Sequence, residues 1–82
     1  MKVQARFFAL YRERVGQSTV DFDLVDEATV ADLVASVMRV YPGLSPDPAN
    51  MVVAVNREYV DHDEMLHDGD EAAFIPPVSG GV

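Results

Sequence analysis

Eighty-two residues, 49% hydrophobic and 24% charged, fit one soluble globular domain around a single modest core, and leave little room for a deep enclosed active site as well. Fourteen acidic against six basic residues give a net charge of −8, which argues against nucleic acid as a partner, because neutralising phosphates takes clustered Lys and Arg. The absence of cysteine excludes a disulfide framework, a thiolate metal site and a cysteine nucleophile, so any sulfur chemistry must use sulfur that is not part of a side chain.

From the N-terminus, Val3 to Leu10 alternates, with Val3, Ala5 and Phe7 on one face and Gln4, Arg6 and Phe8 on the other. That period of two predicts a strand, although an aromatic at position 8 is out of place beside two polar residues. Tyr11 to Val15, followed by Gly16, suits a short helical turn stopped by glycine. Ser18 to Leu24 alternates again with Val20, Phe22 and Leu24 facing inward. Thr29 then opens the clearest helix. It is a good N-cap, Asp32 lies three residues on, and Val30, Leu33, Val34, Val37, Met38 and Tyr41 recur at helical spacing until Pro42-Gly43 stops the run.

Ser45 to Asn50 reads as a loop, because its two prolines forbid regular pairing. Met51 to Val55 is an apolar run of strand length. Asn56-Arg57-Glu58 reads as a turn, and Tyr59-Val60 as a short return strand. Asp68-Gly69-Asp70 signals another turn before a last strand, Glu71 to Ile75, with Ala72 and Phe74 on one face and Ala73 and Ile75 on the other. Pro76-Pro77 ends it, since proline cannot donate to a ladder. This order of elements predicts an α+β fold, a mixed sheet with one main helix packed on one face, as in the β-grasp roll of ubiquitin. Residues 1–77 would form the domain and 78–82 a flexible tail. No apolar run approaches the roughly 20 residues of a membrane span, and the first residues continue into a strand pattern rather than a signal-peptide layout. A cytoplasmic protein with no membrane partner is the expectation.

Side-chain catalysis is not encoded. His62 and His67 lie among Asp61, Asp63, Glu64 and Asp68, but their spacing fits no common helical or hairpin ligand pair, and solvated loop residues are the better reading. The same acidic residues lack the glycine and terminal glutamate of a calcium loop, so no metal is expected. None of the serines sits in a motif that presents a nucleophile. The tail is different. Gly80-Gly81 follows a proline-terminated strand and makes a narrow rod without Cβ atoms, able to thread a tight channel in another protein. A glycine carboxylate can be activated as an acyl-adenylate and captured by sulfur as a thiocarboxylate.

Larger motifs give the pair its context. The segment from Leu66 to Gly81, with Asp68-Gly69-Asp70-Glu71, an apolar strand, Pro76-Pro77-Val78, Ser79 and the two glycines, resembles the C-terminal signature of the MoaD/ThiS sulfur-carrier family. Within that family the likeness is to the small subunits of molybdopterin synthase. The opening Phe7-Phe8-Ala9-Leu10-Tyr11-Arg12-Glu13-Arg14-Val15-Gly16 and the middle stretch Ala54-Val55-Asn56 with Val60 are similar to the same branch. The resemblance implies that an E1-like adenylating enzyme (MoeB-like) spends ATP to activate Gly81, which then holds the thiocarboxylate, while Gly80 gives clearance in the channel. It implies that the large synthase subunit (MoaE-like) accepts the tail and that two such sulfurs build the dithiolene that binds molybdenum. Phe8, Tyr59 and Ile75 match the family's docking patch, with Pro76, Pro77 and Val78 leading from it into the tail. No permanently bound cofactor is implied, and the chain would be a subunit that does not catalyse alone.

Val82 departs from the pattern, since mature members end at the second glycine. Removal by a protease, a copy inactive as a carrier and a residue foreign to the natural chain remain open, with processing the most economical. Two other readings share the chemistry up to the acyl-adenylate. They are a ubiquitin-like modifier joined through Gly81 to lysines, and a sulfur carrier of another pathway such as thiamin synthesis or tRNA thiolation. A plain interaction module with a vestigial tail is the third alternative.

Overall fold

The structure is a computed structural model that describes residues 1–77, so Val78, Ser79, Gly80, Gly81 and Val82 lie outside the described residues. Its elements are strand β1 (Lys2–Phe7), helix α1 (Ala9–Val15), β2 (Thr19–Asp23), helix α2 (Val30–Val40), β3 (Val52–Val55), β4 (Glu58–Val60) and β5 (Glu71–Ile75). They form one five-stranded sheet in the order β2-β1-β5-β3-β4. The first strand pairs in parallel with the last, and the other pairings are antiparallel. With α2 closing one face, this is the mixed-sheet α+β roll predicted from the order of elements.

Alternation decides which face is closed. Register places Val3 opposite Phe22, Ala5 opposite Val20 and Ala72, Phe7 opposite Phe74, and Val53 opposite both Phe74 and Val60. Those residues line the core side with Val30, Leu33, Val34 and Val37 of α2. The Phe7 and Phe74 rings stack with centroids 5.4 Å apart, and the half-buried Tyr41 meets Phe7 edge-on at 6.2 Å. Aromatic pairs of this kind contribute about 0.5–1.5 kcal/mol beyond their burial.

Local chemistry sets the ends of α2. Thr29 Oγ1 accepts from the Asp32 backbone N–H at 3.4 Å, and Asp32 Oδ2 accepts from the Thr29 N–H at 2.9 Å, a reciprocal capping box. The next two N–H groups, of Val30 and Ala31, donate to the carbonyls of Glu64 and His62, both at 2.9 Å. The loop after β4 therefore helps to cap the helix. Replacing Thr29 by Ala is expected to cost about 1 kcal/mol, the usual loss for a side-chain cap, read as a lower urea midpoint at unchanged slope.

Four departures from the sequence reading have physical causes. β1 stops at Phe7 rather than Leu10, because Phe8 is the extended N-cap of α1 and Ala9 takes φ 48°, which breaks the alternation. Residues 48–50 form one 3-10 turn, since Pro48 stands at its start, where a missing N–H costs nothing. Asn56 and Arg57 alone make the β3–β4 turn, with φ of 50° and 72°, and Glu58 already belongs to β4. His62 is not simply solvated, for its Nε2 lies 2.7 Å from the Met51 carbonyl in a half-buried site. His67 stays exposed, as expected.

Turn chemistry also docks β5 into the middle of the sheet. Gly69 adopts φ 87° and donates its N–H to the Lys2 carbonyl at 2.8 Å, while the Lys2 N–H donates to Asp68 Oδ1 at 2.7 Å. Across the sheet, Asn56 Nδ2 donates to Asp70 Oδ1 at 2.9 Å, and Asn56 Oδ1 accepts the Glu71 N–H at 3.1 Å. Both neighbours of β5 thus grip its first residues, and its other end is left to lead into the tail.

Candidate docking site

The face of the sheet opposite α2 is covered by no element among the described residues. One row across it runs Tyr59, Ala54, Ala73, Arg6 and Thr19, from β4 to β2. The two alanines at its centre leave a low floor between Tyr59, which is 74% exposed, and Arg6 on the other side. A partner backbone could approach that floor closely. One step towards the C-terminal end of β5, Ile75 stands opposite Val52, and Phe8 follows directly after the Phe7–Phe74 pair. Phe8 and Val52 are both exposed and Ile75 is half-buried. Phe8, Ile75 and Tyr59 therefore share one apolar face, and its richest end lies where the chain leaves the sheet through the half-buried Pro76 and the exposed Pro77. Contiguous exposed apolar residues are a common mark of interaction sites, and Phe8, Val52 and Ile75 make this end of the face the candidate.

Arg6 accounts for the aromatic at position 8. Its guanidinium carbon lies 5.2 Å from the Phe8 ring centroid, and its Nη1 is 3.5 Å from Glu71 Oε1. The cation packs on the ring while the carboxylate holds the guanidinium over the sheet. Such exposed contacts contribute at most about 1 kcal/mol each, so their role here is to fix orientation.

Val52 was not singled out in the sequence. The run Met51 to Val55 is apolar throughout, so alternation is silent there, and only register against Ile75 shows that Val52 points away from the core. Leu10, 44% exposed on α1, was likewise hidden by its place in a presumed strand. The expected tail residues Val78, Gly80 and Gly81 lie outside the described residues. Among the described residues, no group of three or more His, Asp or Glu side chains is placed to hold a metal ion. No helix among them is long and apolar enough to cross a membrane.

A β-grasp roll with an open apolar sheet face, which adjoins the departure of its C-terminal segment, defines the ubiquitin-like class of small proteins. Comparison with known proteins narrows the class. The model of the ThiS family matches residues 5–81, a span that includes Gly80 and Gly81, and the chain belongs to that family. A Chlamydomonas reinhardtii protein named molybdopterin synthase sulfur carrier subunit is 41% identical over 99% of this chain and 100% of its own length. Small archaeal modifier protein 3 of Haloferax volcanii is 38% identical, again over 99% and 100% of the two chains. Among solved structures, SAMP1 from Haloferax volcanii superposes with a TM-score of 0.87 at 31% identity, covering 99% of this chain and 100% of that one.

Proposed function

We propose that this protein is a sulfur carrier, the small subunit of a molybdopterin synthase, that delivers sulfur from a thiocarboxylate on Gly81. The observation that carries the reading is the union of two features within one family-matched span. The Gly80-Gly81 pair follows the end of β5 after four intervening residues, Pro76, Pro77, Val78 and Ser79, and β5 contributes Ile75 to the bare face beside its end. The likeness to a named sulfur carrier subunit extends over the whole of both chains.

The chemistry needs no side chain of this protein. The Gly81 carboxylate attacks the α-phosphorus of ATP on an adenylating partner, forming the acyl-adenylate and releasing pyrophosphate. Hydrosulfide then adds to the acyl carbon, its proton is lost and AMP is expelled, which leaves the C-terminal thiocarboxylate. The large synthase subunit takes up the tail, the thiocarboxylate sulfur bonds to a carbon of the cofactor precursor as an oxygen substituent leaves, and water cleaves the acyl–sulfur bond to return the carboxylate. What this chain contributes is orientation: a rigid sheet that aims the tail, and a face that fixes the partner against it.

The test follows the sulfur. Chain bearing the thiocarboxylate, mixed with the large subunit and the cofactor precursor, is expected to revert to the carboxylate mass as sulfur is passed on. Retention of the sulfur in the complete mixture would refute the reading. Likeness to a protein named as an archaeal modifier favours a second reading, in which a lysine amine of a target protein captures the acyl-adenylate. That route would show as a ladder of tagged protein adducts in cell extract, resistant to thiols.

Docking has its own test. Ile75→Lys is expected to shift stability by only about 0.5 kcal/mol, since a half-exposed lysine can carry its ammonium into water. Binding to the large subunit should weaken ten-fold or more, about 1.4 kcal/mol in calorimetric titration. A strongly destabilised variant would place Ile75 in the core instead.

A further inference from the structure

Beside the point where the chain leaves β5, an apolar groove of about 430 Å³ opens between α1 and the segment from Ser45 to Val52. Its walls include Leu10 and Val52, both 44% exposed, with Pro46, Ile75 and Pro77. Resting on the sulfur-carrier reading, we propose that this groove is a second docking subsite, in which the protein that receives the tail seats an apolar side chain flanked by an acidic group.

Three observations select that occupant. The first is position. Pro77 is the last described residue and forms part of the groove wall, so a protein that takes up the residues joined to it binds next to the groove. The second is continuity. Val52 and Ile75 face each other in register on the open sheet face and also line the groove, so the two surfaces meet without a polar break. A partner lying on the face already covers one wall. The third is charge. In a chain of net charge −8, the groove holds the cation Arg14, whose Nη1 donates to the Leu44 carbonyl at 2.7 Å. That bond pins the guanidinium at the rim and leaves its other N–H groups for a carboxylate. The one carboxylate in the wall, Asp47, already accepts from Asn50 Nδ2 at 2.7 Å.

Beyond Val52 and Ile75, the groove draws on parts of the fold that the open face does not use, α1 and the segment from Ser45 to Met51. The Ala9 φ of 48° turns the chain so that Phe8 and Leu10, two residues apart, serve the face and the groove respectively. A partner anchored at both is held against rotation about the tail, which a flat apolar face alone does not prevent.

The experiment titrates the large synthase subunit, by calorimetry, into the parent chain and into Leu10→Asp, Pro46→Glu, Arg14→Gln and Ile75→Lys variants. Thermal scans check that each remains folded. Leu10→Asp and Pro46→Glu are expected to raise Kd ten-fold or more, and Arg14→Gln to raise it several-fold and to flatten its dependence on salt. Parent-like binding by the folded Leu10 and Pro46 variants, with Ile75→Lys impaired, would overturn the groove subsite and leave the docking face standing. Parent-like binding by all four would sink both. Two further measurements address the other occupants. If amide shifts of Leu10 and Val52 differ between the full chain and one cut after Pro77, the chain's own tail fills the groove. If a concentration-dependent dimer is abolished by Leu10→Asp, a second copy does. Either result overturns the proposal.

Discussion

Replacing Leu33 by Ala is expected to cost roughly 2–5 kcal/mol, the range for a fully buried leucine whose site cannot collapse completely. Leu33 is inaccessible to solvent and belongs to the same cluster as Phe7, Val37 and Phe74. Its surroundings are held by the sheet on one side and the capping box of α2 on the other, so the cavity has little means of closing. Stability runs at only about 0.05–0.15 kcal/mol per residue, so such a loss takes much of what a domain this small possesses. Urea unfolding followed by circular dichroism is the measurement. A loss below about 0.5 kcal/mol would put Leu33 outside the core and the α2 register in error.

The largest functional effect is expected at the other end of the chain. Adenylation consumes a free carboxylate, and on the sulfur-carrier reading a chain ending at Gly81 presents it on a residue without a side chain and with the full reach of the glycine pair. On that reading, removal of Val82 is expected to precede adenylation. Val82 is β-branched and stiff at χ1, and so is poorly suited to a channel shaped for glycine. Three versions, ending at Val82, Gly81 and Gly80, would be incubated with the adenylating enzyme, ATP and a sulfur donor, then weighed intact. The mass gain of sulfur replacing oxygen is expected on the version ending at Gly81 alone. A gain on the chain that still carries Val82 would rule out the terminal-glycine mechanism for this protein.

What could be read from the residues alone was whatever is encoded locally. Alternation in Val3 to Phe7 and in Ala72 to Ile75 assigns both central strands to their faces, and the Thr29 and Asp32 pair marks the helix start. The glycine at 69 marks the turn that feeds β5. The placing of Phe8 and Ile75 away from the core follows from the same alternation. Where the signal is not local, the sequence is silent. Nothing in residues 1–10 announces a parallel partner some seventy residues on, nor does the unbroken apolar run at 51–55 reveal that Val52 turns outward. His62 gives no hint that its ring will reach the Met51 carbonyl. The groove depends on α1 and the segment 45–52 meeting beside Pro77, three stretches that only the completed fold brings together.

The position of β5 also matters mechanically. A pull applied to the end of β5 along its strand axis acts first on Ile75. β5 lies between β1 and β3 and is bonded to both, so this load falls in shear on two ladders at once instead of peeling a strand from an edge. The bonds to β3 stand across the strand axis, those of the parallel pairing with β1 are slanted to it, and the two sets share the strain. An edge strand such as β2 or β4, pulled along its axis in the same way, would carry the load on one ladder only. Axial load at the end of β5 is therefore spread over the middle of the sheet, not concentrated at one of its edges.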